Sequence, residues 1–470
     1  MNNSKLLKAG VWYTVSTFFV KSISVITTPL FTRILTKDEI GVFSVALTWI
    51  NILTVILSLN LYETVILARY DYKDDREYKE YLSTIAILGT LVGGIFYIFV
   101  FSIKNFAVAF TGIPLYAIHI VLVYVVFSPC ISIVLAKYRA EMQYGRTVVV
   151  SLISALSSSI ISIILVLCWD DKLKGRFFGT YLPEILINLI LFFSLTLEGR
   201  SFKLFYCRYA LPLGLPLIIH HLSGSLMRFS DRIMIQKMCG NEEVAIYTLA
   251  YTCAMFADIM RNSLNSAWDP WIFEKLNSKK TDDIKVYSKY YLIFFVMICI
   301  YIMLFAPELL LIFGGSSYLE ARFAIPPVVV GYLFCMVYSL FSCLERFAKQ
   351  QKRFALITLI CATVNIALNF AFIPLFGYIA AAYTTLLGYM LSGTLHYFNA
   401  KKIGLAGVYD IRMILRILGV AIGISGIILI SYSMPALRII LILVITIGCF
   451  FFIVHERERM IKVVRAIKSK

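Results

Sequence analysis

Four polar residues, Thr17, Lys21, Ser24 and Thr28, recur at steps of four, three and four inside an apolar stretch. Such steps place all four on one face of an α-helix. A second apolar stretch repeats the spacing with His221, Ser225, Arg228 and Arg232, each 204 positions after its counterpart. The chemistry open to these stripes is the binding of an anion. Lys21, Arg228 and Arg232 carry positive charge, and the planar guanidinium fork donates two parallel hydrogen bonds to a phosphate. His221 adds an imidazole, the side chain best suited to proton coupling. Asp231 lies three residues after Arg228, and Asp258 three before Arg261. That spacing allows a local ion pair in each case, or a coupling role for Asp231, Asp258 and Arg261.

The surroundings make these charges informative. The chain has 470 residues, of which 60% are hydrophobic and only 15% charged, and its mean hydropathy is +0.83. That composition excludes a soluble globular protein and points to an all-α polytopic membrane protein. A cation facing lipid at mid-bilayer costs roughly 2.5–3.5 kcal/mol on insertion scales. Lys21, central in its helix, is therefore expected to face protein or a watery cavity. The net charge of +17 reflects basic loops between apolar segments, so no nucleic-acid partner is expected. Ten cysteines are scattered without CxxC pairs, which argues against a disulfide framework or a zinc site. No GxxxxGK[ST], HExxH or GxSxG motif occurs, so no catalytic residue, cofactor or metal is expected. The work of transport would come from an ion gradient (proton or sodium), a partner, or the substrate's own gradient.

A spanning helix needs about 20 apolar residues. Fourteen segments meet that need: 10–32, 41–66, 82–103, 113–136, 147–168, 177–197, 210–236, 243–265, 287–313, 324–344, 354–376, 378–399, 411–431 and 435–454. With the N-terminus in the cytoplasm, the basic clusters 69–79, 137–146, 200–208, 275–289, 346–353 and 457–470 all fall on the cytoplasmic side. The outer loops hold only Arg33, Lys37, Lys104, Lys172, Lys174, Arg176, Lys237, Arg322 and Arg438. This alternation follows the positive-inside rule, so both termini are expected in the cytoplasm. Lys5 and Lys8 precede the first apolar run as in a signal peptide, but no small-residue cleavage site follows. The run is expected to remain as the first helix.

The stripe belongs to a longer repeat. Residues 39–46 (EIGVFSVA) align with 243–250 (EVAIYTLA) at the same offset. Ser44, Thr48, Asn51, Thr54 and Ser58 then align with Thr248, Thr252, Met255, Asp258 and Asn262. Further on the offset becomes 207, matching Arg139 and Arg146 with Arg346 and Arg353. Six helices separate the copies. Six is even, so the copies run the same way through the membrane and are parallel repeats with a site expected between them. The expected lobes are 1–200 (helices 1–6) and 201–402 (helices 7–12), followed by helices 13–14 and a basic cytoplasmic tail in 403–470. Lys21, Arg228, Arg232 and His221 form the cationic wall of the expected cavity, and Thr17, Ser24, Thr28, Thr48, Asn51 and Ser225 its polar lining. His119 and His396, single histidines in apolar helices, read as packing residues. Glu63, Asp269 and Glu308, near span ends, read as interfacial.

Residues 29–41 (PLFTRILTKDEIG) resemble the RxLTxxExG junction that follows the first helix of bacterial polysaccharide flippases. Glu345-Arg346, followed by 365–369 (NIALN) and 373–378 (IPLFGY), resembles their second-half signature. These are the flippases of O-antigen, capsule and exopolysaccharide assembly, in the superfamily of multidrug, oligosaccharidyl-lipid and polysaccharide exporters. Where relatives often carry a glycine after Pro-x-x-Gly, this chain has Ile379-Ala380-Ala381. The resemblance implies twelve to fourteen helices, a two-lobed cavity and alternating access in the bacterial cytoplasmic membrane. It implies a substrate of undecaprenyl diphosphate bearing an oligosaccharide, moved from the cytoplasmic to the outer leaflet, with membrane lipid around it. A polysaccharide polymerase and a chain-length regulator would be its partners.

Two other functions compete. A cation-coupled multidrug antiporter of the same superfamily would want an acidic intramembrane site, and the stripe is basic. A membrane-embedded glycan polymerase or acyltransferase would want a large outer loop, and the outer loops are short.

Overall fold

The computed structural model describes Ile23, residues 25–278 and residues 281–457. Thr17, Lys21 and Ser24 lie outside the described residues, as does most of the first expected span. Every regular element among the described residues is helical, and twelve helices are long and apolar enough to cross a membrane. The expectation of fourteen spans therefore meets twelve candidates. The segment expected at 378–399 folds as the helix Tyr378–Lys402 but is not one of the twelve. Its Thr384, Thr385, Ser392, His396 and Asn399 lower its hydropathy, and all five are buried.

The chain divides into two compact units, Met1–Ala245 and Ile246–Lys470. In the first, helix continues through residues 25–34 and restarts at Lys37–Leu57. Thr36 caps that restart. Its hydroxyl accepts from the Glu39 amide at 3.3 Å, and the Glu39 carboxylate accepts from the Thr36 amide at 2.8 Å. This reciprocal capping box satisfies two amide donors that the first helical turn would otherwise leave open. Two residues on, Gly41 sits against the Asn241 backbone, where a Cβ would lie 2.0 Å from the Asn241 carbonyl oxygen. The Asn241 side chain also donates to Asp38 at 2.9 Å. Thr36, Glu39 and Gly41 of the family-like junction thus each have a structural task.

The expected span 41–66 ends earlier, at Leu57. Leu59 and Asn60 adopt left-handed backbone (φ 50° each), which an α-helix cannot absorb. The chain then passes through Leu61–Thr64 and Val65–Asp71 to the long helix Asp75–Ser102. The next crossing breaks between Leu115–Phe127 and Pro129–Ala140, because Pro129 has no amide hydrogen to continue the ladder. Tyr144–Cys168 and Lys172–Gly199 follow as a helical pair. Leu204–Met238 packs with this unit, against Lys37–Leu57. Ile85, Ile133 and Tyr81 lie in the unit's apolar core and are fully buried.

The helix Asn241–Asn277 begins in the first unit, runs on into the second and leads to Thr281–Leu304. The expected span 287–313 breaks at Phe305, and a short helix Ala306–Phe313 restarts with Pro307 in its first turn, where a missing amide costs nothing. Ile325–Phe347 forms the centre of the unit and packs along Tyr378–Lys402 and against Thr281–Leu304. Pro326 and Pro327 occupy its first turn for the same reason. At the other extreme, Pro435–His455 turns Ile439, Leu443, Ile447 and Phe450 outward, the surface expected of a helix bordered by lipid.

Candidate functional site

The second stripe lies on Leu204–Met238. At 100° per residue, His221, Ser225, Arg228 and Arg232 share one side, and Ser223, Met227 and Ser230 occupy the other. The latter three are buried, whereas His221 and Ser225 are half-buried and Arg228 is exposed. The helix therefore seats its small and apolar side and presents the polar one. His221 Nε2 lies 3.9 Å from a Glu63 carboxylate oxygen of the Leu61–Thr64 turn. Sequence reasoning placed Glu63 only at an interface. The contact joins residues 158 apart in the chain, beyond any single-helix spacing rule.

Arg232 differs from the rest of the stripe. It is buried, and its Nη1 donates to Asp231 at 2.8 Å and to the Arg228 carbonyl at 2.8 Å. Asp231 also accepts from the Arg232 amide at 2.9 Å. Asp231 thus takes its chain neighbour as a partner, although the spacing had suggested Arg228.

The polar lining on the N-terminal side is partly committed to helix backbone. Thr48 is buried with its hydroxyl on the Ser44 carbonyl at 3.1 Å, and Asn51 donates to the Leu47 carbonyl at 2.7 Å. Thr28 is half-buried, and its carbonyl accepts from Thr32 at 3.1 Å.

In the second unit, Asp258 and Arg261 form the local pair that their spacing allowed. Arg261 reaches Asp258 Oδ1 through Nη2 at 2.7 Å and Nε at 3.2 Å. Its remaining donors go to Ser339 at 3.1 Å and Asn262 at 2.9 Å. The guanidinium is buried, and each of its three nitrogens makes a hydrogen bond.

Three features escaped the sequence reading. Arg176, counted as an outer-loop residue, lies in the helix Lys172–Gly199 and donates to Ser162 at 2.9 Å. Its guanidinium carbon is 3.5 Å from the Phe31 ring centre and 4.6 Å from that of Phe43. The aromatic faces supply the negative potential that a carboxylate would otherwise provide. Asn365 and Asn369 are buried with Thr384 and Thr385 in a polar layer between Gln351–Phe376 and Tyr378–Lys402. His396, read as a packing residue, is bound to Glu345. The four-residue step from Asn365 to Asn369 was a signal for the second feature; the other two depend on tertiary contact.

A model of the polysaccharide biosynthesis protein family matches residues 6–276. The chain belongs to that family. A MatE family model also matches residues 216–371. A Haemophilus influenzae protein of the Lsg locus is 23% identical over 353 residues, covering 70% of this chain and 85% of its own. Among solved structures, the lipid II flippase MurJ in an inward closed conformation superposes with a TM-score of 0.75 at 14% identity. That match covers 96% of this chain and 100% of MurJ. An inward-facing multidrug resistance MATE transporter of the MOP superfamily gives 0.61 at 15% identity, covering 84% of this chain and 95% of its own. At such identities the likeness establishes the fold, which is that of MurJ and the MATE transporters. The chain is therefore a member of the polysaccharide biosynthesis family with a many-helix fold like that of MurJ and the MATE transporters, and twelve of its helices are long and apolar enough to cross a membrane.

Proposed function

We propose that this transporter flips undecaprenyl-diphosphate-linked oligosaccharide repeat units from the cytoplasmic to the outer leaflet by alternating access. It would act in the bacterial cytoplasmic membrane with both termini in the cytoplasm, supplying a polymerase and a chain-length regulator. The observation that carries this reading is the exposed Arg228 on a membrane-spanning helix, flanked along one stripe by half-buried Ser225 and His221. A diphosphate crossing hydrocarbon needs a cationic, fork-shaped partner, and a guanidinium meets that need. Lys21 would contribute a second cation from the other repeat, while Thr17, Ser24, Thr28, Thr48 and Asn51 would meet sugar hydroxyls. Arg232, tied to Asp231, would tune the wall more than grip the substrate. Asp231, Asp258 and Arg261 would be the candidates for coupling transport to an ion gradient.

The test is surface polysaccharide in a strain whose own copy is deleted. The wild-type gene should restore it. Lys21→Ala/Arg228→Ala should not, at equal protein level in the membrane. Full polysaccharide from the double variant would contradict the site.

Cation-coupled multidrug antiport is the second reading, favoured by the MatE match over residues 216–371. Drug resistance on overexpression, with no polysaccharide defect on deletion, would select it.

A further inference from the structure

Glu345 and His396 meet inside the Ile246–Lys470 unit, where Ile325–Phe347 packs along Tyr378–Lys402. His396 Nδ1 is 2.8 Å from Glu345 Oε2, and both side chains are 0% exposed. The second polar atom of each group, Glu345 Oε1 and His396 Nε2, is buried without a hydrogen-bond partner among the described residues. Aromatic rings wall the imidazole, with Tyr338 at 4.8 Å and Phe354 at 5.4 Å between centroids. One turn along, the Asn399 side-chain amide is also buried and unpaired.

The charged groups nearby are committed or solvated. Arg346, next to Glu345, directs its guanidinium to Asp269 and to Ser342 at 3.3 Å. Thr281–Leu304, Gln351–Phe376 and Ile411–Ser431 carry their charges near their starts. Lys285, Lys289, Lys352, Arg353, Arg412 and Arg416 there are exposed, and so is Asp282, while Asp283 is held by Lys275 at 2.6 Å. On the partner helix, Lys401 and Lys402 are exposed. Among the described residues, no second cation is therefore bound to the pair.

A neutral imidazole beside a carboxylate would leave one uncompensated negative charge in a buried site, an arrangement that burial penalises. One added proton makes the pair neutral, whether it sits on Glu345 Oε2 or on His396 Nδ1. When water enters, the O–H or N–H bond breaks, the electron pair stays on the oxygen or nitrogen, and the proton leaves as hydronium.

We propose that Glu345 and His396 form a proton-binding site of this transporter. The proposal rests on the chain being a membrane transporter and is independent of which substrate it carries. Each group keeps one buried polar atom without a partner among the described residues, so the pair has an atom free to take up and release a proton.

The test uses the full-length protein in lipid nanodiscs without substrate, followed by infrared difference spectroscopy across a pH titration. Wild type should show a buried carboxylic acid or carboxylate signal coupled to an imidazole signal, titrating as one step with about one proton released per chain. Glu345→Gln should abolish the step. His396→Gln should keep the carboxyl signal but move its midpoint by at least a pH unit. Should Glu345→Gln fail to fold, His396→Gln alone decides: an unmoved midpoint overturns the proposal. A step that persists in Glu345→Gln also overturns it, as does one displaced by sodium at constant pH. Failure of the flippase reading would appear in the polysaccharide assay and leave this spectrum unchanged.

Discussion

Arg232 Nη1 and Asp231 Oδ1 are 2.8 Å apart, and the two side chains, neighbours in the chain, are 8% and 1% exposed. Arg228, one turn earlier on the same stripe, is exposed. Two arginines that look equivalent in sequence therefore occupy different electrostatic situations. One is buried and paired with Asp231; the other is exposed.

This difference predicts opposite mutant behaviour. Asp231→Ala leaves Arg232 buried without its carboxylate and should lower stability by about 3–5 kcal/mol. Thermal unfolding in detergent measures it, and a melting temperature equal to wild type would contradict the pairing. Arg228→Ala should change stability by no more than about 0.5 kcal/mol while removing polysaccharide export.

The junction at Thr36, Glu39 and Gly41 predicts a graded series. Thr36→Ala removes the cap and should cost about 1 kcal/mol. Gly41→Ala would set a Cβ 2.0 Å from the Asn241 carbonyl oxygen, an overlap that only backbone movement relieves. Its cost should reach or exceed the roughly 1–3 kcal/mol of core overpacking. The same thermal assay ranks the two, and a Gly41→Ala variant milder than Thr36→Ala would refute the contact.

That junction also shows how far the sequence could be read. Thr36-x-x-Glu39 is a capping box by spacing alone, so the start of Lys37–Leu57 was legible from local chemistry. The close approach of Gly41 to Asn241 was not, since nothing in 200 intervening residues states who the neighbour is. Asp258 and Arg261 were readable because three residues along a helix bring them together. Glu345 and His396, 51 positions apart, were not, and an isolated histidine in an apolar helix looks like packing until its partner is seen. Arg176 was misread because the helix begins at Lys172, ahead of the apolar run, so a residue that looked like loop is helical and caged by Phe31 and Phe43. Hydropathy found the spans well but could not see the breaks at Ser128 and Phe305, which arise from proline starting a new helix.

The Arg261 cluster predicts a geometric requirement beyond charge. Lysine keeps the charge but cannot serve Asp258, Asn262 and Ser339 at once from a fork. Arg261→Ala should destabilise by about 3–5 kcal/mol, because Asp258 loses its buried partner. Arg261→Lys should recover only part of that loss. Full recovery in a thermal assay would show that charge alone suffices.

The Arg176 cage predicts sensitivity to its rings. Phe31→Leu keeps the volume but removes the π face, and should cost about 1–2 kcal/mol. An unchanged melting temperature would show that the Phe31 ring does not hold the guanidinium.

The most direct measurement is leaflet-resolved transport in proteoliposomes containing the purified protein and a polyprenyl-diphosphate oligosaccharide. Accessibility of the sugar to an added, impermeant glycan-modifying enzyme reports which leaflet holds it. Wild type should bring the inner-leaflet pool to the enzyme, and Arg228→Ala, folded and inserted to the same extent, should not. Equal transport by the two proteins, or none by wild type under a proton or sodium gradient of either direction, would contradict the assignment of this stripe to diphosphate passage.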